Sequence, residues 1–97
     1  MSEDRQTGSA VYLARVEVTL KQTVNDPQGL TIRGALHSLG FAEVDRVRAG
    51  KYLEIQISAP DEARARARVD ECCRRLLANP VIEDYRFDLA LLQPSPA

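Results

Sequence analysis

Three stretches of this chain alternate apolar and polar side chains with a period of two residues. They cover residues 14–20, 53–57 and 85–89, and β-branched residues are frequent in the first. Successive side chains of a β-strand point to opposite sides, so this alternation predicts strands with one buried face and one polar face. The chain must therefore build a sheet and cover one side of it.

Two helices are predicted between these strands. Asp26 followed by Pro27 offers an N-cap acceptor and a first-turn proline, and Gly40 supplies the left-handed position that ends a helix over residues 27–39. A second helix is predicted from residues 60–62, with acidic residues in its first turn, to about residue 78. The predicted buried stripes are Ile32, Ala35, Leu36 and Leu39 in the first helix, and Ala65, Val69, Cys72, Cys73 and Leu76 in the second.

A further strand is predicted over residues 42–49, with a bulge around Asp45 and Arg46 and a hairpin turn near Gly50. The order strand, helix, strand, strand, helix, strand indicates the α+β class. It is typical of a ferredoxin-like β-α-β-β-α-β sandwich, in which an antiparallel sheet carries two helices on one face. The other face is expected to be open, polar and mixed in charge, and to carry Arg15, Glu17, Thr19, Glu54 and Gln56.

The length of 97 residues favours a single domain, predicted over residues 11–89, with flexible tails at 1–10 and 90–97. Thirteen Lys and Arg against fourteen Asp and Glu leave a formal charge of −1, which gives no large field to attract nucleic acid or anionic lipid. The N-terminus lacks the pattern of a secretory signal, and no stretch approaches the roughly 20 apolar residues of a membrane-spanning helix. We expect a cytoplasmic location without nucleic-acid or membrane partners.

Side chains that could carry chemistry are few. His37 is the only histidine, and we expect it at the surface because the sequence pattern offers it no nucleophile or metal partner. Cys72 and Cys73 are adjacent, which gives neither a metal-ligand spacing nor an easy disulfide, so both are expected to pack as small apolar groups. The expectation is a chain without catalytic, cofactor-binding or metal-binding residues.

Two segments are candidates for binding a partner protein. Residues 47–52 place two cations and an aromatic at the predicted hairpin tip, where exposed loops commonly contact partners, although a plain turn explains them as well. Residues 77–85 couple a helix end to an acidic strand start, and the helix end alone also explains them. The candidate partner-binding residues are Arg48, Gly50, Lys51, Tyr52, Asn79, Pro80, Glu83 and Asp84.

Three motifs, read in order, resemble the PurS family: Asp26-Pro27-Gln28-Gly29, Val47-Arg48-Ala49-Gly50-Lys51, and Leu76-Leu77-Ala78-Asn79-Pro80-Val81-Ile82-Glu83-Asp84-Tyr85. The resemblance covers about residues 11–87 and implies a PurS-like form of the predicted sandwich. It implies the small subunit of phosphoribosylformylglycinamidine synthase (FGAM synthase), an ATP-dependent, glutamine-using C–N ligase complex of purine biosynthesis. The chain itself would bind no cofactor and supply no catalytic residue.

The same resemblance implies the partners of the chain. A PurQ-type glutaminase would release ammonia, and a PurL-type synthetase would use ATP and Mg²⁺ for the ligation. This chain would join the two and support ammonia transfer. Family members also self-associate, so a homodimer or larger homo-oligomer is expected. The alternative function is a free-standing regulatory module of ferredoxin-like fold that senses an amino acid and has no ligase partner.

Overall fold

The sheet of this protein has three strands. The computed structural model describes residues 9–95, and its strands are β1 (Ala10–Leu20), β2 (Gly50–Ala59) and β3 (Glu83–Gln93). They form one antiparallel sheet in the order β2-β1-β3, so β1 is central and the other two strands are its neighbours. Because both neighbours run antiparallel to β1, both begin beside the end of β1.

Two helices connect the strands along the chain. Helix α1 (Pro27–Ser38) joins β1 to β2, and helix α2 (Glu62–Cys72) continues into a π-helical turn (Cys73–Leu77) before β3. The predicted α+β class, with an antiparallel sheet and two helices, is confirmed. The predicted placement of both helices on one face was wrong, because only α2 contributes to the core clusters. Ile32 and Leu39 of the predicted α1 stripe are exposed. None of the helices formed by the described residues is long and apolar enough to cross a membrane.

The core lies between α2 and one face of β1. Ala14, Val16 and Val18 are fully buried there, and they pack with Val69 and Cys73 from the helical segment. Half-buried side chains of β2 and β3 complete this face: Leu53, Ile55, Ile57, Tyr85, Phe87 and Leu89. The intervening residues of β1 face the other side of the sheet, as the alternation predicts.

Residues 42–49 do not form the predicted further strand. Their backbone carbonyls accept hydrogen bonds from side chains of α1 instead. Arg33 Nε donates to the Asp45 carbonyl oxygen at 2.9 Å, and His37 Nε2 donates to the Val44 carbonyl oxygen at 2.8 Å. The prediction of this strand was therefore wrong, because the segment satisfies its polar groups on α1 rather than on a neighbouring strand.

The predicted hairpin turn near Gly50 was also wrong. Gly50 begins β2 and lies opposite Thr19 of β1. A Cβ atom at position 50 would approach the Val18 carbonyl oxygen to 2.1 Å, so the lack of a side chain allows the two strands to pair here. The glycine serves a close backbone approach instead of a turn.

Both helices begin with an aspartate, as the sequence indicates. Asp61 accepts the backbone N–H of Arg64 at 2.8 Å, in the manner of an N-cap. Asp26 caps α1 by accepting the Gly29 N–H at 3.0 Å, and its second oxygen accepts the Ala49 N–H at 2.9 Å. The Ala49 and Gly29 donors lower the pKa of Asp26. This carboxylate thus ties the start of α1 to the approach to β2.

The end of the second helical segment departs from the predicted stripe. In the π-helical turn the Ala78 N–H donates to the Cys73 carbonyl oxygen at 2.9 Å, a spacing of five residues instead of four. The wider turn directs Cys73 and Ala78 to the core. Cys72 and Leu76, both predicted to be buried, are exposed.

The predicted tails are shorter than expected at both ends. Ala10 already belongs to β1, and residues 90–93 continue β3 and pair with residues 11–13. The prediction of a flexible segment over residues 90–93 was therefore wrong, because these residues extend the ladder with β1. Residues 1–8 and 96–97 lie outside the described part of the chain.

Candidate partner-binding site

The two candidate segments meet at one end of the sheet. Gly50 and Asp84 both lie opposite Thr19, one on each side of β1. The strand topology produces this meeting, since β2 and β3 each start beside the end of β1. We call this region the sheet end, defined by Thr19 together with Arg48, Gly50, Lys51, Tyr52, Glu83 and Asp84.

Arg48 binds the end of β1. Its Nη2 atom donates to Thr19 Oγ1 at 2.9 Å and to the Leu20 carbonyl oxygen at 2.7 Å. These bonds satisfy acceptors at the end of β1, where the ladder with β2 stops at Gly50 while the ladder with β3 extends to Leu20 and Glu83. Arg48 therefore has a structural role at the sheet end, and a change at this position would affect the local fold as well as any docking surface.

The turn before β3 is held by its own hydrogen bonds. The side chain of Glu83 accepts the Asn79 N–H at 2.7 Å, and the Asn79 side chain accepts the Val81 N–H at 3.0 Å. Pro80 is exposed within this turn. Asp84 pairs with Lys21 Nζ at 2.9 Å, so the acidic strand start closes on the residue that follows β1. The turn is exposed and lies beside the sheet end.

Lys51 and Tyr52 present exposed side chains on opposite faces of β2. The Tyr52 hydroxyl donates to Glu54 Oε2 at 2.9 Å. Partial desolvation and this bond raise the pKa of Tyr52, so its hydroxyl remains a neutral donor at physiological pH. An aromatic ring with a polar tip and a lysine without an ion pair among the described residues are well suited to a protein contact.

A shallow cavity of about 310 Å³ opens beside the sheet end. Glu17, Arg48, Asp84 and Arg86 contribute its charges, two of each sign. Such a balance of charge does not favour an anionic ligand. It suits contact with a polar protein surface whose charges are complementary to these four. The site prediction had missed Glu17, Thr19 and Arg86. Their alternation placed them on strands, but only the register of β1 with β3 brings them to this cavity.

The open face of the sheet carries cross-strand ion pairs next to this cavity. Arg86 Nε lies 2.6 Å from Glu17 Oε1, and Arg15 Nε lies 3.0 Å from Asp88 Oδ1. These side chains are largely exposed, and exposed pairs typically contribute only about 0–1 kcal/mol each. Their effect is to specify strand register and to give the face a fixed pattern of charge.

The two cysteines and the histidine were the other side chains that could carry chemistry. The thiol of Cys73 is buried, which raises its pKa and leaves it unreactive. Cys72 is exposed, and His37 donates to a backbone carbonyl from a half-buried position. Within residues 9–95, no group of three or more His, Cys, Asp or Glu side chains could hold a metal ion.

The fold and these contacts define a class of protein: a small α+β domain with equal numbers of positive and negative side chains at the sheet end. Its open sheet face carries cross-strand ion pairs. Comparison with known proteins identifies the family. The profile described as PurS, phosphoribosylformylglycinamidine (FGAM) synthase, matches residues 13–91. The chain belongs to the PurS family.

Individual relatives match over most of their lengths. The phosphoribosylformylglycinamidine synthase subunit PurS of Synechocystis sp. is 44% identical over 89 residues, which cover 92% of this chain and 89% of the relative. The crystal structure of PurS from Methanocaldococcus jannaschii is 40% identical with a TM-score of 0.74, covering 84% of this chain and 99% of that one. A chain of the PurLQS structure from Thermotoga maritima is 29% identical with a TM-score of 0.73, covering 84% and 98%.

Proposed function

We propose that this chain is the bridging subunit of an FGAM synthase complex, joining a PurL-type synthetase to a PurQ-type glutaminase. The observation that carries the proposal is the similarity to a chain of the PurLQS structure over 98% of that chain's length. The relatives named above, all PurS subunits, favour this function over an amino-acid-sensing regulatory module. The complex would act in purine biosynthesis in the cytoplasm.

The chemistry of such a complex explains why it needs a bridge. One subunit releases ammonia from glutamine, and another uses ATP and Mg²⁺ to attach that ammonia to its substrate. Ammonia that escapes into water is diluted and protonated, so the two sites must be held in a closed assembly. A small domain that docks by shape and charge pattern can fulfil this role without a catalytic group of its own.

We place the docking surface at the sheet end. Residues from two separate segments meet there, and the exposed Tyr52 lies opposite Glu17, which lines the cavity with balanced charges, while Lys51 is exposed on the other face of β2. Aromatic residues are enriched among the side chains that dominate protein interfaces, and paired charges around them provide specificity. Asn79 and Pro80 border this surface on the turn before β3.

Self-association is the second part of the proposal. The edges of β2 and β3 are sheet edges in the described chain, and exposed edges and apolar patches are managed in proteins by pairing or by covering. A homodimer or larger homo-oligomer would cover such surfaces, so the bridging unit is proposed to contain more than one copy of this chain.

A binding experiment tests the docking surface. The variant Lys51→Ala/Tyr52→Ala should bind purified PurL-type and PurQ-type subunits about tenfold more weakly and co-elute with them less. Truncating a side chain that anchors an interface typically costs more than 1 kcal/mol of binding free energy. Its thermal melt should stay close to that of the parent chain, because both side chains are exposed. The matched control is Arg64→Ala, which removes one exposed cation from the start of α2. Equal binding by parent and double variant would exclude the sheet end from the interface.

A further inference from the structure

The turn before β3 presents three consecutive apolar residues to the outside. Pro80 is exposed, Val81 is 78% exposed and Ile82 is 38% exposed. We call these three residues the apolar tip. Single apolar side chains are common on protein surfaces, but a run of three exposed apolar residues has no use in folding and is typical of a position that serves a function.

Turn formation explains Asn79 but does not explain a valine at position 81. The Asn79 side chain accepts the Val81 N–H at 3.0 Å, and the Asn79 carbonyl oxygen accepts the N–H groups of Ile82 at 3.1 Å and Glu83 at 2.7 Å. The Ile82 carbonyl oxygen accepts the Lys21 N–H at 2.8 Å, which fastens the turn to the chain after β1. These bonds use only the backbone of Val81. Its side chain is therefore left for a partner, and docking would strand none of these backbone donors.

Lys51 lies on the side of the sheet from which the apolar tip arrives. It is opposite Val18 of β1, whose side chain is in the core, so Lys51 projects to the face that α2 covers. Glu83, the first residue after the tip, is opposite Leu20 and shares this face. With strands about 4.8 Å apart, the backbone positions of Lys51 and Glu83 are roughly 12 Å apart, so one partner segment can contact both.

Lys51 is the charge on this side that lacks a partner among residues 9–95. The charged side chains around it are engaged: Asp84 pairs with Lys21, Glu83 accepts a backbone N–H of its own turn, and Arg48 donates to the end of β1. A partner that approaches here meets apolar side chains and one unpaired cation. The complementary surface is an apolar pocket with a carboxylate at its edge.

We propose that the apolar tip inserts into such an acidic-edged apolar pocket on one of the two partner subunits of the complex. Val81 is the anchor that loses its water in the pocket, and Lys51 pairs with the carboxylate at the pocket edge. The contact thus combines a buried apolar side chain, which supplies affinity, with one charge pair, which supplies orientation. The inference rests on the proposed bridging function and assigns an anchor to it.

Replacing Val81 with threonine tests the anchor. Val81→Thr keeps the shape of the side chain and exchanges a methyl group for a hydroxyl, which loses its hydrogen bonds to water in an apolar pocket. Calorimetric titration of the full chain into each purified partner subunit should show about tenfold weaker binding to one of them, with an unchanged thermal melt. The matched control is Leu92→Thr, at a side chain that is 51% exposed and lies near the other end of β3. Equal affinities of the parent chain and Val81→Thr for both subunits would overturn the anchor.

The charge pair is tested by the salt dependence of the same titration. Lys51→Gln should bind that subunit more weakly and with a smaller salt dependence than the parent chain, whereas Lys51→Arg should keep both properties, because screening acts on the pair of charges. An unchanged salt dependence in Lys51→Gln would overturn the pairing with a carboxylate. A parent chain that binds neither subunit refutes the bridging function itself. A parent chain that binds, together with a Val81→Thr variant that binds equally well, refutes only the role of the apolar tip.

Discussion

Replacing Gly50 with alanine should destabilise the protein because the added methyl group has no room. The new Cβ would lie 2.1 Å from the Val18 carbonyl oxygen and 2.9 Å from Thr19 Cγ2. Relieving the backbone contact requires β2 to move away from β1 at its first residue. Opening the ladder there sacrifices one or two hydrogen bonds and strains the strand, so we expect a loss of about 2 kcal/mol in the free energy of unfolding.

The matched control for this change is Gly34→Ala. Nothing lies within 4 Å of a Cβ at this position, which is inside α1. Alanine in an exposed helix interior is favoured over glycine by roughly 0.5–1 kcal/mol, so this variant should be more stable than the parent. The two Gly→Ala changes are therefore expected to have opposite signs.

Thermal melts followed by circular dichroism measure both variants. For a domain of this size a change of 1 kcal/mol shifts Tm by about 4–8 °C, so Gly50→Ala should melt roughly 8–16 °C below the parent chain. Protein concentration must be equal in all samples, because the Tm of a protein that forms oligomers depends on its concentration. If Gly50→Ala melts with the parent, Gly50 is not packed against β1, and the close approach of β2 to Val18 is refuted.

Two further changes test the core and the half-buried hydrogen bond between the Tyr85 hydroxyl and the Asp70 carboxylate. Val69→Ala should lower the free energy of unfolding by about 2 kcal/mol in urea titrations, since it removes buried methyl groups and leaves a cavity. The control Val81→Ala, at a side chain that is 78% exposed, should be nearly neutral. Equal effects of the two changes would contradict the core assignment. Tyr85→Phe removes the 2.5 Å hydrogen bond to Asp70, which lowers the pKa of that carboxyl below its ordinary value of 3.8. A lowered carboxyl pKa contributes stability above about pH 4 that is lost on acidification, so the deficit of Tyr85→Phe against the parent should be constant near neutral pH and shrink below pH 3.8; a deficit that grows on acidification would contradict this role.

Strand positions could be predicted because alternation reports directly on which face is buried. Val16 and Val18 are buried, and Arg15 and Glu17 face the open side, as the pattern indicates. The same method failed over residues 42–49, where Val44 and Val47 suggested a strand. Backbone carbonyls of that segment accept hydrogen bonds from side chains of α1. Contacts between two segments distant in sequence produce no periodic hydrophobic pattern in either of them.

The candidate site illustrates a second limit. Residues 47–52 and 77–85 could be selected from local composition, but their meeting at Thr19 depends on the register of two strand pairs. The exposure of Leu76 depends on a single wide turn, because a five-residue hydrogen-bond spacing redirects every later side chain. Local pattern assumes uniform helical geometry and therefore placed Leu76 in the core.

Turnover by the reconstituted complex tests the bridging function most directly. PurL-type and PurQ-type subunits from the same source are assayed with glutamine, with and without this chain, and in parallel with ammonium salt in place of glutamine. The account predicts that glutamine-dependent turnover requires the chain, while ammonia-dependent turnover by the synthetase persists without it, since free ammonia bypasses the transfer between subunits. Equal glutamine-dependent turnover in the presence and absence of the chain would contradict the account.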